Sequence, residues 1–66
     1  MLNGFRKARL IAGITQLELA EKVGVSHVAV CKWETGKGLP NVRRLNAVAD
    51  ALNTTVAELL KEEGTN

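Results

Sequence analysis

The run Gly24-Val25-Ser26 limits this chain more than any other feature, because helix signals press against it from both sides. Thr15-Gln16-Leu17-Glu18 is a capping box: the Thr15 hydroxyl can accept the N–H three residues on, and Glu18 can reach back to the Thr15 N–H. Leu19, Ala20 and Val23 follow at helical spacing. Gly24 then suits the left-handed backbone that ends a helix, where a side chain would be strained. Ser26 is an N-cap for a second helix reaching Thr35, and Gly36 closes it. A joint this short makes the two helices cross steeply, so small or apolar residues are needed where the backbones approach. Ala20 and Val30 supply them, and Leu19, Val23, Val25, Val30 and Trp33 form the apolar seam.

The rest of the chain reads the same way. Residues 3–12 form a first helix with Phe5, Ala8 and Arg9 toward the interior. Pro40-Asn41 opens a helix with Leu45, Val48, Ala49 and Leu52 on one face, stopped at Asn53. Thr55-Val56-Ala57-Glu58 is a second capping box, opening a short helix through Leu60. Val23 to Val30 is rich in β-branched residues, but Gly24 interrupts it and no hairpin dipeptide follows. The expected fold is therefore all-α, five helices on short connections, with a domain over residues 1–61 and a frayed tail over 62–66. Its 66 residues bury roughly 60% of the surface the unfolded chain exposes and leave no room for a doubly wound sheet or a second domain.

Location and chemistry are bounded too. The single cysteine, Cys31, has no second thiol to bridge to, which fits a reducing cytoplasm. No apolar stretch is long enough to span a membrane, and the N-terminus lacks the apolar core of a signal peptide. A single histidine, no acidic pair at a plausible site, no phosphate-binding glycine loop and no metal-ligand cluster argue against an enzyme. No cofactor or metal is expected. The net charge is only +2, with pI about 9.0, but its distribution is uneven. Residues 1–44 carry eight Lys and Arg against three Glu, a net +5. Residues 45–66 carry Lys61 against Asp50, Glu58, Glu62 and Glu63, a net −3. Such a distribution could present a positive face at one end; the tight joint with its apolar seam is the physical pattern of a DNA-binding helix-turn-helix.

The run Gln16-Leu17-Glu18-Leu19-Ala20-Glu21-Lys22-Val23-Gly24-Val25-Ser26, followed by Val30, Trp33-Glu34 and Gly36, resembles the phage repressor and Cro (XRE-type) helix-turn-helix family. Arg9, Gly13, Pro40, Ala49, Leu52, Leu59 and Leu60 also fall where that family places comparable residues, so the resemblance covers nearly the whole chain. It implies a compact bundle of the lambda-repressor-like type that binds double-stranded DNA, with segment 26–35 in the major groove. Val30 and Trp33 point inward by helical spacing, which turns Ser26, His27, Val28, Cys31 and Lys32 outward. Of these, Ser26, His27, Val28 and Lys32 are expected to contact bases. Imidazole can donate or accept at a base edge, Val28 suits a thymine methyl, and Lys32 suits guanine or a phosphate. Cys31 is tolerated there; metal or redox chemistry would need a second ligand.

Phosphate contacts are expected from Gln16, at the N-terminus of its helix, and from Arg6, Thr15, Thr35, Lys37, Asn41 and Arg43. Backbone N–H groups of Gly36-Lys37-Gly38 could also approach a phosphate. Arg9 and Glu34 read as an internal ion pair, and Lys22 and Arg44 as solvated charges. Such domains read half an operator, so a homodimer is expected, with half-sites about one turn, ~34 Å, apart. The family's contact region corresponds to Asn53 to Leu60, where Val56 and Leu59 either meet the partner or close the monomer core. The resemblance also admits an antitoxin, a restriction-system controller or the N-terminal domain of a longer repressor. Met1 and the lack of a linker-like segment favour a Cro-type repressor in a bacterial host.

Overall fold

The computed structural model describes residues 3–61; the tail expected over 62–66 lies outside the described residues. Five helices follow one another: α1 (Gly4–Ala12), α2 (Gln16–Val23), α3 (His27–Glu34), α4 (Val42–Ala51) and α5 (Val56–Leu59). The architecture is all-α. Each helix opens on a side-chain cap, namely Asn3, Thr15, Ser26, Asn41 and Thr55, whose oxygen accepts the N–H three residues on. Such a cap satisfies one of the orphan N–H groups of the first turn, and short helices depend on this because they have few internal bonds. The box at α2 is complete, with Thr15 N–H donating to Glu18 Oε1 at 2.8 Å and Glu18 N–H donating to Thr15 Oγ1 at 3.0 Å.

The second box is formed only in half. Glu58 N–H donates to Thr55 Oγ1, but the Glu58 carboxylate faces Lys61 Nζ at 3.5 Å instead of turning back. The helix it opens ends at Leu59, one residue short of the expected Leu60. Asn3, read from the sequence as the first helical residue, is the cap outside α1 and accepts the Arg6 N–H at 3.0 Å.

The core is one cluster of Phe5, Leu19, Ala20, Val30, Trp33, Val48, Ala49, Leu52 and Leu59, with Val23, Val25, Leu45 and Val56 packed half-buried against it. Trp33 stacks obliquely on Phe5, ring centroids 5.9 Å apart, and so joins α3 to α1. The Asn3 side-chain amide donates to the Trp33 carbonyl at 2.7 Å and fixes the same junction. Gly24 sits at φ +81 and makes the α2–α3 turn possible. At Asn53, φ +54 puts the second-best left-handed residue where α4 must stop.

Two expectations are corrected here. Leu59 is 1% exposed, so it closes the monomer core and offers nothing to a partner chain. Arg44, read as a solvated charge, is half-buried and also makes a tertiary contact: its Nη1 donates to the Gly24 carbonyl at 3.2 Å, tying α4 to the α2–α3 turn.

Candidate nucleic-acid interface

The outward side of α3 follows from what its inward side buries. Val30 and Trp33 enter the core, which leaves Ser26, His27, Val28 and Lys32 exposed and Cys31 half-buried. Val28 is 62% exposed, a β-branched side chain standing on an otherwise polar surface. Ser26 Oγ accepts the Ala29 N–H at 3.2 Å, and its own hydroxyl hydrogen remains able to donate outward. The same holds for Thr15, whose oxygen is used by the cap.

Arg6, Thr15, Gln16 and His27 line one open cleft of about 660 Å³ where α1, α2 and α3 meet, with Arg9 at its wall. Four residues taken separately from the sequence are thus brought together. Lys37 lies elsewhere, in a larger groove of about 720 Å³ with Leu39, Leu60 and Lys61. Arg43 is exposed on α4. Asn41 caps α4 through its carbonyl oxygen and keeps its amide nitrogen able to donate. Thr35 is less suited to a phosphate, because its hydroxyl already donates to the Cys31 carbonyl at 2.8 Å. The glycine-lysine-glycine segment is corrected likewise: Gly36 N–H bonds the Trp33 carbonyl and Lys37 N–H the Lys32 carbonyl. Those bonds close α3 and take two of the three N–H groups out of play.

Behind this surface lies a charged anchor. Arg9 Nε donates to Glu34 Oε2 at 2.6 Å, and Arg9 Nη2 to Oε1 at 3.0 Å. The remaining fork arm, Nη1, donates to the Ile14 carbonyl at 2.9 Å. The two side chains are only 10% and 2% exposed. The hydrogen bonds that Arg9 donates to the Glu34 carboxylate raise the Arg9 pKa above its ordinary value, and burial opposes this in part. The pair joins α1 to the last turn of α3 and fixes how α3 is presented.

Sequence reasoning missed what Glu34 does next. Gln16 Nε2 donates to Glu34 Oε1 at 3.0 Å, and Gln16 Oε1 meets His27 Nε2 at 3.0 Å and Cys31 Sγ at 3.2 Å. Cys31 Sγ also lies 3.7 Å from His27 Nε2, so the sulfur has neighbours that the sequence reading did not give it. The signal was present, since residues four apart on a helix share a face. Among the described residues no group of three or more His, Cys, Asp or Glu is placed to hold a metal, and no helix is long and apolar enough to cross a membrane.

Comparison with known proteins decides the family: a model of the helix-turn-helix family matches residues 5–59. The chain belongs to the helix-turn-helix family. Within this family it is similar to the HTH-type transcriptional activator BcrR of Enterococcus faecalis, 44% identical over 50 residues, covering 76% of this chain and 24% of BcrR. It is also similar to the cryptic phage CTXphi transcriptional repressor RstR of Vibrio cholerae, 40% identical over 45 residues, covering 68% of this chain and 40% of RstR. The matched stretch therefore covers about a quarter of BcrR and two-fifths of RstR, so the likeness spans less than half the length of either relative. The solution structure of the SOS-response transcriptional repressor LexA from Eubacterium rectale superimposes with a TM-score of 0.80 at 27% identity, over 96% of this chain and 67% of that one. The match is to a repressor-type helix-turn-helix fold, with α2 and α3 as its two helices.

Proposed function

We propose that this helix-turn-helix chain is a sequence-specific transcriptional repressor of the phage or prophage Cro type. It acts in the bacterial cytoplasm and occludes promoter DNA with α3 in the major groove. The observation that carries this reading is the outward row Ser26, His27, Val28 and Lys32 on α3, set beside the donors Arg6, Thr15 and Gln16 in one cleft. Groups that read base edges must lie within reach of groups that grip phosphates, or the reading side chains have no fixed register. Asn41, Arg43 and Lys37 extend the phosphate contacts, and Thr35 contributes only if its present bond opens. RstR and LexA bear the names of repressors, which supports repression. BcrR bears the name of an activator, so activation is the second reading; a promoter fused to a reporter separates the two by the sign of the response.

The operator is palindromic and the protein binds it as a dimer. Since Leu59 is spent on the core, Leu60, 49% exposed, takes its place beside Val56 in the dimer contact. The test is selection of bound duplexes from a random pool at two salt concentrations. The expected result is a palindrome with half-sites about one turn apart and affinity that falls steeply with salt. Absence of enrichment at physiological salt would refute it and leave a partner-dependent module such as an antitoxin.

A further inference from the structure

The fold gives Cys31 the second ligand that the sequence reading did not find for it, and a third donor beside that one. His27 and Cys31 stand four residues apart on α3, the spacing at which a helix presents paired metal ligands on one face. His27 Nε2 lies 3.7 Å from Cys31 Sγ. Gln16, on α2, closes the triangle: its Oε1 is 3.0 Å from Nε2 and 3.2 Å from Sγ. The oxygen faces α3 because a carboxylate only accepts, so the Gln16 group 3.0 Å from Glu34 Oε1 is the amide nitrogen. Glu34 is itself held by two bonds from Arg9, so this donor oxygen is set from behind by a buried ion pair. Bonds of ~2.1 Å to nitrogen or oxygen and ~2.3 Å to sulfur put the donors around a tetrahedral ion roughly 3.4–3.6 Å apart. The three atoms of this triangle fall within about 0.4 Å of that spacing. One imidazole, one thiol and one amide oxygen suit Zn2+ better than the hard ions Mg2+ or Ca2+.

We propose that His27, Cys31 and Gln16 bind one Zn2+ ion, and that the bound ion releases the protein from DNA. His27 supplies the Nε2 lone pair, Gln16 supplies Oε1, and the Cys31 thiol gives its proton to solvent as the Zn–S bond forms. Water completes the four-coordinate shell. His27, a base contact, and Gln16, a phosphate contact, are then committed to the ion and lost to the operator. The coupling is reciprocal, so bound operator weakens Zn2+ binding by the same factor. The release rests on the DNA-binding reading, whereas ion binding is independent of DNA.

Two measurements test it. Co2+ is the probe for the site, because it takes the same tetrahedral ligands and its thiolate bond absorbs in the near ultraviolet. Cys31 is the only cysteine and His27 the only histidine in the chain, so the signal has one origin. Co2+ added to the reduced, untagged protein should give the band at one equivalent per chain, and Zn2+ should abolish it by displacement. Cys31→Ser should lose the band. His27→Ala and Gln16→Leu should each bind at least about tenfold more weakly, since losing a ligand costs no less than losing a ligand's outer partner. Fluorescence of Trp33, buried against Phe5, reports whether each variant is folded. Absence of the band, saturation at half an equivalent, or wild-type affinity in either weakened variant overturns the site. In the second measurement Zn2+ is added to the complex with a duplex from the selection. Operator affinity should fall about tenfold in the wild type and stay unchanged in Cys31→Ser, whose side chain has no assigned DNA contact. A rise, no change in the wild type, or an equal fall in both proteins overturns the release. If Co2+ binds as stated but the wild type enriches no sequence, the DNA-binding reading fails, the release fails with it, and the metal site stands.

Discussion

Replacing Glu34 with alanine should nearly unfold this domain. The substitution strips Arg9 of both carboxylate bonds and leaves a guanidinium that is 10% exposed with only the Ile14 carbonyl as partner. Removing one member of a buried pair costs about 3–5 kcal/mol, because the surviving charge stays out of water. A domain of 66 residues has a total stability of about 3–10 kcal/mol at the usual value per residue. The loss is therefore comparable to the whole, and the melting temperature should fall by about 12 °C or more. Urea unfolding followed by Trp33 fluorescence measures it directly, since Trp33 is the only tryptophan and is buried against Phe5. The double variant Arg9→Met with Glu34→Leu removes both charges together and should be more stable than Glu34→Ala. The reasoning is refuted if Glu34→Ala lies within about 1 kcal/mol of wild type, or if the double variant is the weaker of the two.

Gly4→Ala should destabilise by about 1–3 kcal/mol, read by thermal melting, because a Cβ there would overlap the backbone carbonyls of Glu58 and Leu59 and push α5 off α1. Asn41→Ala removes the cap that accepts the Arg44 N–H at 2.9 Å and should cost about 1 kcal/mol in urea unfolding. Val28→Ala should leave stability unchanged and relax choice at one base pair by about 1–3 kcal/mol in competition binding. An even loss across all sequences would mean that Val28 reads no base.

Most of the fold was legible because its signals are local. Caps, helix-ending glycines and apolar spacing around Thr15, Gly24, Ser26, Asn41 and Asn53 act within a few residues, and each helix lies within about two residues of where those signals put it. The misreadings are tertiary. Glu58 was free to choose between the Thr15-like box and Lys61, and an exposed side chain follows whichever partner is nearer. Arg44 reaches across 20 residues to the Gly24 carbonyl, and nothing in spacing foretells that reach. Leu59 and Leu60 are adjacent leucines, and only the packing of α5 decides that Leu59 is buried and Leu60 is not. At the candidate site, the outward set on α3 came from helical geometry alone. The link from Glu34 through Gln16 to His27 joins three helix ends, and its donors and acceptors become unambiguous only once the carboxylate is located.

The central claim is that DNA meets the N-terminal half of α3. Backbone amide shifts of the labelled protein, followed as a duplex from the selection is added, test it directly. The account predicts that the largest changes fall on Ser26 to Lys32 and on Thr15 and Gln16. Changes concentrated on the outer faces of α4 and α5, with α3 undisturbed, would contradict it.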